Sequence, residues 1–180
     1  MLYIGIALVV IAIAFVSGYN GLVAKRNKVK NAWGQIDVQL KRRFDLIPNV
    51  METVRGYATH EKTTLEEVTA ARTRFMSATT PEARMSANSE LTPLLGRLMA
   101  VAEAYPDLKA NTSFMGLQRE LSETEDKIGF CRQFYNDVVM DFNNAVQMFP
   151  SNMVAGLFGF RAEPFFQATE KETAAPVVKF

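Results

Sequence analysis

The sequence is poor in the residues on which most catalytic and metal sites depend. Its 180 residues include one cysteine, one histidine and one tryptophan. A single cysteine, Cys131, excludes an internal disulfide and suits a reducing compartment. One histidine excludes a di-iron bundle built from two Glu-x-x-His pairs. His60-Glu61 forms only half of a zinc HExxH motif, because Thr64 stands at the second ligand position. We therefore predict no catalytic residue, no metal site and no cofactor.

The low net charge and the isolated glycines argue against nucleic-acid binding and against a phosphate-binding loop. The net charge is +1, so no strong field suggests a nucleic-acid partner. Gly56 and Gly96 are isolated, and no glycine-rich phosphate loop is present. Cys131 lies on an apolar helix seam, which favours a buried structural thiol over a nucleophile. The sequence is therefore informative mainly about where the protein lies and how it folds.

The N-terminus carries a long apolar run that lacks charge. Residues 2–16 are uninterrupted apolar or glycine residues, and residues 1–19 as a helix span roughly 28 Å, near the ~30 Å hydrocarbon core of a bilayer. Ala12-Ile13-Ala14 offers a signal-peptide cleavage pattern, but a signal peptide has its positive charge before the apolar run. We predict an uncleaved transmembrane anchor over residues 1–19, with a cleaved or reversed segment as the alternative.

A basic collar follows the apolar run, formed by Lys25, Arg26, Lys28 and Lys30. By the positive-inside rule it places the N-terminus outside and the rest of the chain in the cytoplasm. The collar either meets lipid headgroups or is a solvated helix face that fixes topology. Asp37, the one acid among these and the next bases, is predicted to pair with Lys41 one turn further on.

Beyond the anchor, apolar residues recur at helical spacing throughout, and no strand pattern is present. The first stripe ends near Asp45, where we predict a break, with Pro48 in the first turn of a second helix. That helix is predicted over residues 46–78, with a soft spot at Gly56 to His60. The third helix restarts at Thr80-Pro81-Glu82, and Pro93 either kinks it or delays its start to about Ser89.

The fourth helix has the clearest pattern. Apolar residues at intervals of seven, with a second set between them, form an a/d seam over about five heptads, the pattern of coiled-coil-like bundle packing. The residues spaced seven apart are Phe114, Leu121, Ile128, Tyr135, Phe142 and Phe149. The predicted fold is all-α: one transmembrane helix followed by an antiparallel up-down four-helix bundle over residues 20–150.

The segment after the fourth helix, residues 151–166, is apolar and aromatic but too short to span a bilayer. An antiparallel bundle returns it toward the anchor. Leu157, Phe158 and Phe160 are therefore predicted to touch the membrane interface or to pack on the anchor. The alternative is a satellite cluster on the base of the bundle. Residues 167–180 have the composition of a disordered tail.

Several segments are similar to the LemA family of bacterial membrane proteins, over nearly the whole chain to about Phe166. They include Tyr19-Asn20-Gly21-Leu22-Val23, Asp45-Leu46-Ile47-Pro48-Asn49, Gly56-Tyr57-Ala58-Thr59-His60-Glu61, Glu103-Ala104-Tyr105-Pro106-Asp107-Leu108-Lys109-Ala110-Asn111 and Leu117-Gln118-Arg119-Glu120-Leu121. The resemblance implies a single-pass protein of the bacterial cytoplasmic (inner) membrane with an antiparallel helical bundle. It implies no activity, because the family has none that is firmly assigned.

Two function classes follow from this architecture and resemblance. The first is an interaction module, an adaptor or regulator of another inner-membrane protein; resemblance to relatives encoded beside membrane metalloproteases makes a protease one such partner. The second is a scaffold that associates with itself and organises or remodels the membrane. The expected partners are membrane lipids and another inner-membrane protein. The scaffold function predicts homo-oligomers. Neither function involves nucleic acid.

Overall fold

A computed structural model of the chain describes residues 2–58 and 61–166. Within these ranges all regular secondary structure is helical, which confirms the predicted all-α class with one long apolar N-terminal helix. The helices are α1 (Leu2–Arg55), α2 (Lys62–Ser77), α3 (Pro81–Ala104), α4 (Pro106–Lys109), α5 (Thr112–Gln147) and α6 (Ser151–Phe158). His60 and the tail predicted over residues 167–180 lie outside the described residues.

The described chain divides into two compact units. Unit 1 contains residues 2–36 and Cys131–Phe166, that is, the first part of α1, the second part of α5, α6 and the segment after it. Unit 2 contains Asp37–Phe130, with the rest of α1, the first part of α5 and the three helices between them. The division into anchor, bundle, membrane-proximal segment and tail stays a prediction.

The core of unit 2 is built from the apolar stripes of its helices. The rings of Phe44 on α1 and Phe75 on α2 stack with their centroids 3.8 Å apart. Burying each large apolar side chain contributes roughly 1.5–3 kcal/mol, so these stripes hold the helices together. Side chains that are fully buried in unit 2 include Leu40, Ile47, Val50, Val54, Val68, Ala71, Leu91, Leu98 and Leu108.

Helix α1 does not break at Asp45, and the break predicted there is wrong. The helix continues to Arg55 with Pro48 in its interior. A proline in that position leaves the carbonyl of Phe44, four residues earlier, without its helical donor. Arg72 of α2 supplies a replacement, because its Nε donates to the Phe44 carbonyl oxygen at 3.3 Å. Tertiary packing and this side-chain donor therefore outweigh the local break signal.

The chain breaks instead at the predicted soft spot, so the continuous helix over residues 46–78 is also wrong. Helix α1 ends at Arg55, and the backbone N–H groups of Tyr57 and Ala58 both donate to the Val54 carbonyl oxygen, at 3.0 and 2.8 Å. Helix α2 begins at Lys62. Gly56, a poor helix former, stands at the point where the helix stops.

Helix α3 begins where its capping residues predict. The Thr80 hydroxyl oxygen accepts a hydrogen bond from the Ala83 backbone N–H at 3.2 Å, and Pro81 occupies the first helical position. The helix then runs through Pro93 to Ala104, so a start near Ser89 is wrong. Buried leucines on both sides of Pro93, among them Leu91 and Leu94, hold it in place.

One of the two residue sets of the predicted α5 seam is buried. The residues spaced seven apart are buried from Phe114 to Phe142, whereas the set between them is half-buried except for Thr124. The prediction fails at Phe149, which is 78% exposed because the helix ends at Gln147. Pro150 then precedes α6, in agreement with the predicted stop.

Two charged residues after the collar lie against α3 rather than in solvent. Asp37 forms an ion pair with Arg84 of α3, so the predicted pairing with Lys41 is wrong. Arg43 is 4% exposed, and its Nη1 donates to the Asn88 side-chain oxygen at 2.8 Å. This part of α1 therefore packs against α3 through Asp37 and Arg43, while Lys41 and Arg42, which lie between them in the sequence, remain exposed.

Candidate membrane-proximal site

The first part of α1 has no protein packed over most of its surface. An 18-residue window of this helix meets the length and composition of a membrane span, and none of the window is buried. Exposed apolar side chains run from Leu2, at 75%, to Val16, at 61%. Apolar surface of this extent is typical of a segment whose environment is a bilayer. Within the described residues this is the one candidate membrane span.

Helix α6 packs against α1 where the apolar run ends. The Tyr19 ring lies 4.7 Å from the Phe158 ring and 5.8 Å from the Phe160 ring, measured between centroids. Gly18 lets the two helices approach closely, since a Cβ added there meets the Val154 Cγ2 atom at 3.4 Å. Both Val154 and its neighbour Ala155 are buried. A short apolar helix is thus held beside the end of the candidate span.

The face of α6 that points away from α1 is mainly apolar, with Asn152 as its one exposed polar residue. Met153 and Leu157, one turn apart, are 61% and 70% exposed, and the helix contains no charged residue. Met148 and Phe149, in the turn before α6, are 63% and 78% exposed. We name these four residues and Phe158 the apolar foot. Phe160 is 8% exposed, so it belongs to the packing beneath the foot and not to its surface.

The structure separates the four residues of the basic collar. The Lys25 Nζ lies 2.5 Å from the Asp141 Oδ2 of α5, and the Arg26 guanidinium lies 4.9 Å above the Phe160 ring. Lys28 and Lys30 are exposed and form no ion pair within the described part of the chain. Two collar residues therefore join the parts of unit 1, and two remain open to headgroups or water.

An extended segment follows α6, and two asparagines of α5 hold its backbone. The Asn143 side chain donates to the Glu163 carbonyl at 2.9 Å and accepts from the Glu163 N–H at 2.8 Å. Asn136, two helical turns earlier, makes the same pair of bonds with Phe166, at 3.0 and 2.8 Å. We name residues 161–166 the strap. No strong sequence signal marks this segment; the one indication is a pair of asparagines seven residues apart on a partly buried face of α5.

Unit 2 carries an open cleft between the end of its part of α1 and the start of α5. Its volume is about 460 Å³. Gly116 leaves room in it, because a Cβ added at this glycine meets no atom within 4 Å. The lining is polar with one leucine and comprises Asn49, Glu52, Thr53, Ser113, Gly116, Leu117 and Glu120.

Residues considered for catalysis or metal binding are not brought together in the described part of the chain. Within residues 2–58 and 61–166 no three histidine, cysteine, aspartate or glutamate side chains form a group that could hold a metal ion. Cys131 forms no disulfide within the described residues and is half-buried, so it is less covered than the predicted buried thiol. His60, the residue of the partial zinc motif, lies outside the described residues. The absence of a metal site stays a prediction.

The fold and this site define a helical protein with one candidate membrane span at its N-terminus and a short apolar helix packed beside it. The chain belongs to the LemA family, whose model matches residues 32–180. It is 30% identical to Protein LemA of Metamycoplasma hominis over 162 residues, which cover 88% of this chain and 73% of the relative.

More distant similarity extends to proteins with another name. The chain is 24% identical to Magnetosome protein MamQ 1 of Paramagnetospirillum magneticum over 175 residues, which cover 83% of this chain and 64% of that protein. It is 22% identical to Magnetosome protein MamQ of Magnetospirillum gryphiswaldense over 179 residues, with 85% and 63% covered. The chain thus spans slightly less than two thirds of these relatives.

Proposed function

We propose that this protein is a membrane-anchored interaction module that binds another protein of the same membrane, as an adaptor or regulator. The observation that carries the proposal is the cleft of unit 2, whose volume of about 460 Å³ exceeds that of two other open pockets on this unit, of about 360 and 340 Å³. Its lining includes the exposed Glu52 and Glu120 and the half-buried Leu117. An apolar centre with a polar rim is the usual arrangement of a protein contact. A membrane protease is one class of partner that fits a regulatory module.

The geometry favours a basic and partly apolar segment as the ligand of the cleft. The two glutamates supply negative charge. Glu120 forms only a long ion pair with Arg42, whose Nη2 lies 3.9 Å from the Glu120 carboxylate. An exposed pair at this distance contributes little, about 0–1 kcal/mol. A lysine or arginine of a partner can therefore replace Arg42 at little cost.

Filling the cleft is expected to abolish partner binding and leave the fold intact. Gly116→Leu places a side chain into open space, and replacing an exposed helical glycine adds up to about 1 kcal/mol of stability. The measurement is crosslinking and mass spectrometry of the full chain in native membranes. We expect one distinct protein in near-equal amount with the natural chain and a loss of at least about tenfold, equivalent to 1.4 kcal/mol, with the variant.

Gly96→Leu is the matched control, because Gly96 is also an exposed helical glycine of unit 2 with no atom near an added Cβ. It should bind like the natural chain. A chain lacking residues 2–17 tests the need for the anchor and should capture little of the partner. Equal capture by the Gly116 and Gly96 variants argues against the cleft as the contact.

A second candidate function is a self-associating scaffold that organises or remodels the membrane. The similarity to proteins named as magnetosome proteins favours it, as does the exposed apolar surface of unit 1. The same crosslinking experiment separates the two functions. Crosslinks between copies of this chain alone, unaffected by Gly116→Leu, support the scaffold.

We also propose that the chain lies in the cytoplasmic membrane of a bacterium, with its N-terminus outside and the chain from Lys25 onward on the cytoplasmic side. The collar that follows the apolar run supports this orientation. Single cysteines at Leu2 and Met76, in a Cys131→Ser background, test it with a membrane-impermeant maleimide. Leu2→Cys should react in intact cells, and Met76→Cys, at a position 51% exposed, only after permeabilisation. The reverse pattern contradicts the orientation.

A further inference from the structure

We propose that the apolar foot is a second membrane contact: α6 lies in the boundary between lipid headgroups and acyl chains beside the emerging anchor. The inference rests on the proposed membrane anchoring and extends it to the part of the chain that lies more than a hundred residues after the span. The apolar foot contacts the lipid bilayer and not another protein.

The first support is the composition of both faces of α6. Val154 and Ala155 are buried against the rest of unit 1, while Met153 and Leu157 point away from it and are exposed. A helix of a water-soluble surface has a polar outer face, whereas a helix with apolar residues on both faces fits a protein core or lipid. The outer face of α6 carries one polar residue, Asn152 in the first turn, and no charge. Lipid near the headgroups is therefore the surrounding that fits it.

The second support is the position of α6 beside the end of the candidate span. The contacts of Gly18 and Tyr19 with α6 lie where the apolar run of α1 ends. Tyrosine is enriched at this level of a membrane because its ring is amphipathic. An apolar helix fixed there is continuous with the surface that the span presents to lipid. Interfacial helices bury their apolar face roughly 5–10 Å into this boundary.

The third support is how firmly the foot is held at this level. Arg26 lies above the Phe160 ring, and Lys25 pairs with Asp141 near the end of α5. Gly159 takes a positive φ of 70°, which ends α6 and turns the chain into the strap. These contacts within unit 1 hold the segments that flank the foot beside the end of the span, so the foot lies at the membrane boundary when the anchor spans the bilayer.

The test measures depth with lipids that carry a nitroxide quencher. Single cysteines at Val9, Leu157 and Met76, each in a Cys131→Ser background, receive an environment-sensitive fluorophore. The full chain is reconstituted in vesicles of phosphatidylcholine and phosphatidylglycerol. Val9 is the positive control within the anchor, and Met76, exposed in unit 2, is the aqueous control. Nitroxides near the headgroup and deep in the acyl chain report the depth of each label.

We expect the Leu157 label to show a blue-shifted emission and stronger quenching by the shallow nitroxide than by the deep one. The Val9 label should show the opposite preference, and the Met76 label no quenching. A Leu157 label as unquenched as Met76, with Val9 still quenched, overturns the membrane contact of the foot and leaves the anchor in place. Loss of quenching at Val9 as well overturns the proposed anchoring itself.

Discussion

Replacing Arg43 by alanine is expected to lower the free energy of unfolding by about 3 kcal/mol, because it removes one partner of a largely buried charge network. The guanidinium is 4% exposed and joins three helices of unit 2. Its Nη1 donates to Asn88 and, at 3.3 Å, to Thr92 of α3, while its Nη2 lies 2.7 Å from the Glu125 carboxylate of α5.

The size of the effect follows from what the substitution leaves behind. Asn88 is 4% exposed, and a buried amide without a partner costs about 1–3 kcal/mol. The Glu125 side chain is 42% exposed, so water recovers part of its solvation and the loss stays at the lower end of the range for buried pairs. Arg43→Lys should lose less, because it keeps the charge but not the forked geometry that reaches two helices.

The measurement is urea denaturation of the full chain in detergent micelles, followed by circular dichroism. Arg42→Ala is the matched control: its ion pair with Glu120 is 3.9 Å long and both side chains are 50% exposed. We expect a change within about 0.5 kcal/mol for this neighbour. Equal effects at the two positions would show that the buried network contributes no more than a surface pair.

The apolar periodicity of the sequence was sufficient to predict most of the helical core. The stripe through Leu40, Phe44 and Ile47 and the residues spaced seven apart from Phe114 to Phe142 are buried as predicted. The capping hydroxyl of Thr80 was recognisable because the proline and acid that follow it form a local signal. Periodicity works here because burial of one helix face is the dominant stabilising interaction.

The errors arose where contacts distant in sequence outweigh local preference. Asp45 and Pro48 are local break signals, but the Arg72 side chain, 28 residues from Phe44, replaces the missing donor. Asp37 pairs with Arg84, 47 residues away, and not with its helical neighbour Lys41. No pattern within a single helix reveals such partners, because they depend on which helices pack together.

The site was predictable only in outline. Apolar and aromatic composition indicated a membrane-proximal segment at residues 151–166, but not that Phe160 is covered while Leu157 is exposed. That difference depends on the direction in which α6 approaches Tyr19 and on the cation of Arg26 above the Phe160 ring. The strap was missed because an extended segment bound through its backbone needs no particular side chains of its own.

Replacing Asn143 by alanine is expected to release the first part of the strap. The substitution removes both bonds to Glu163 and costs about 2 kcal/mol for a largely buried amide pair. Asn143 is 7% exposed, so water does not readily replace its amide. Hydrogen exchange of the full chain, read by mass spectrometry over residues 160–166, should become roughly 30-fold faster at Glu163, the ratio that corresponds to 2 kcal/mol of local opening.

The double variant Asn136→Ala/Asn143→Ala should extend this release to Phe166, whose N–H donates to Asn136. The Tyr135 hydroxyl, which donates to the Pro164 carbonyl at 3.0 Å, then becomes the main polar contact that remains on the strap. The matched control is Asn144→Ala. Asn144 is the exposed neighbour of Asn143, and its replacement should leave exchange unchanged. Faster exchange throughout α5 with either variant would show that the asparagines support α5 as a whole. An increase confined to residues 160–166 shows that they bind the strap, because only those amides lose their acceptors.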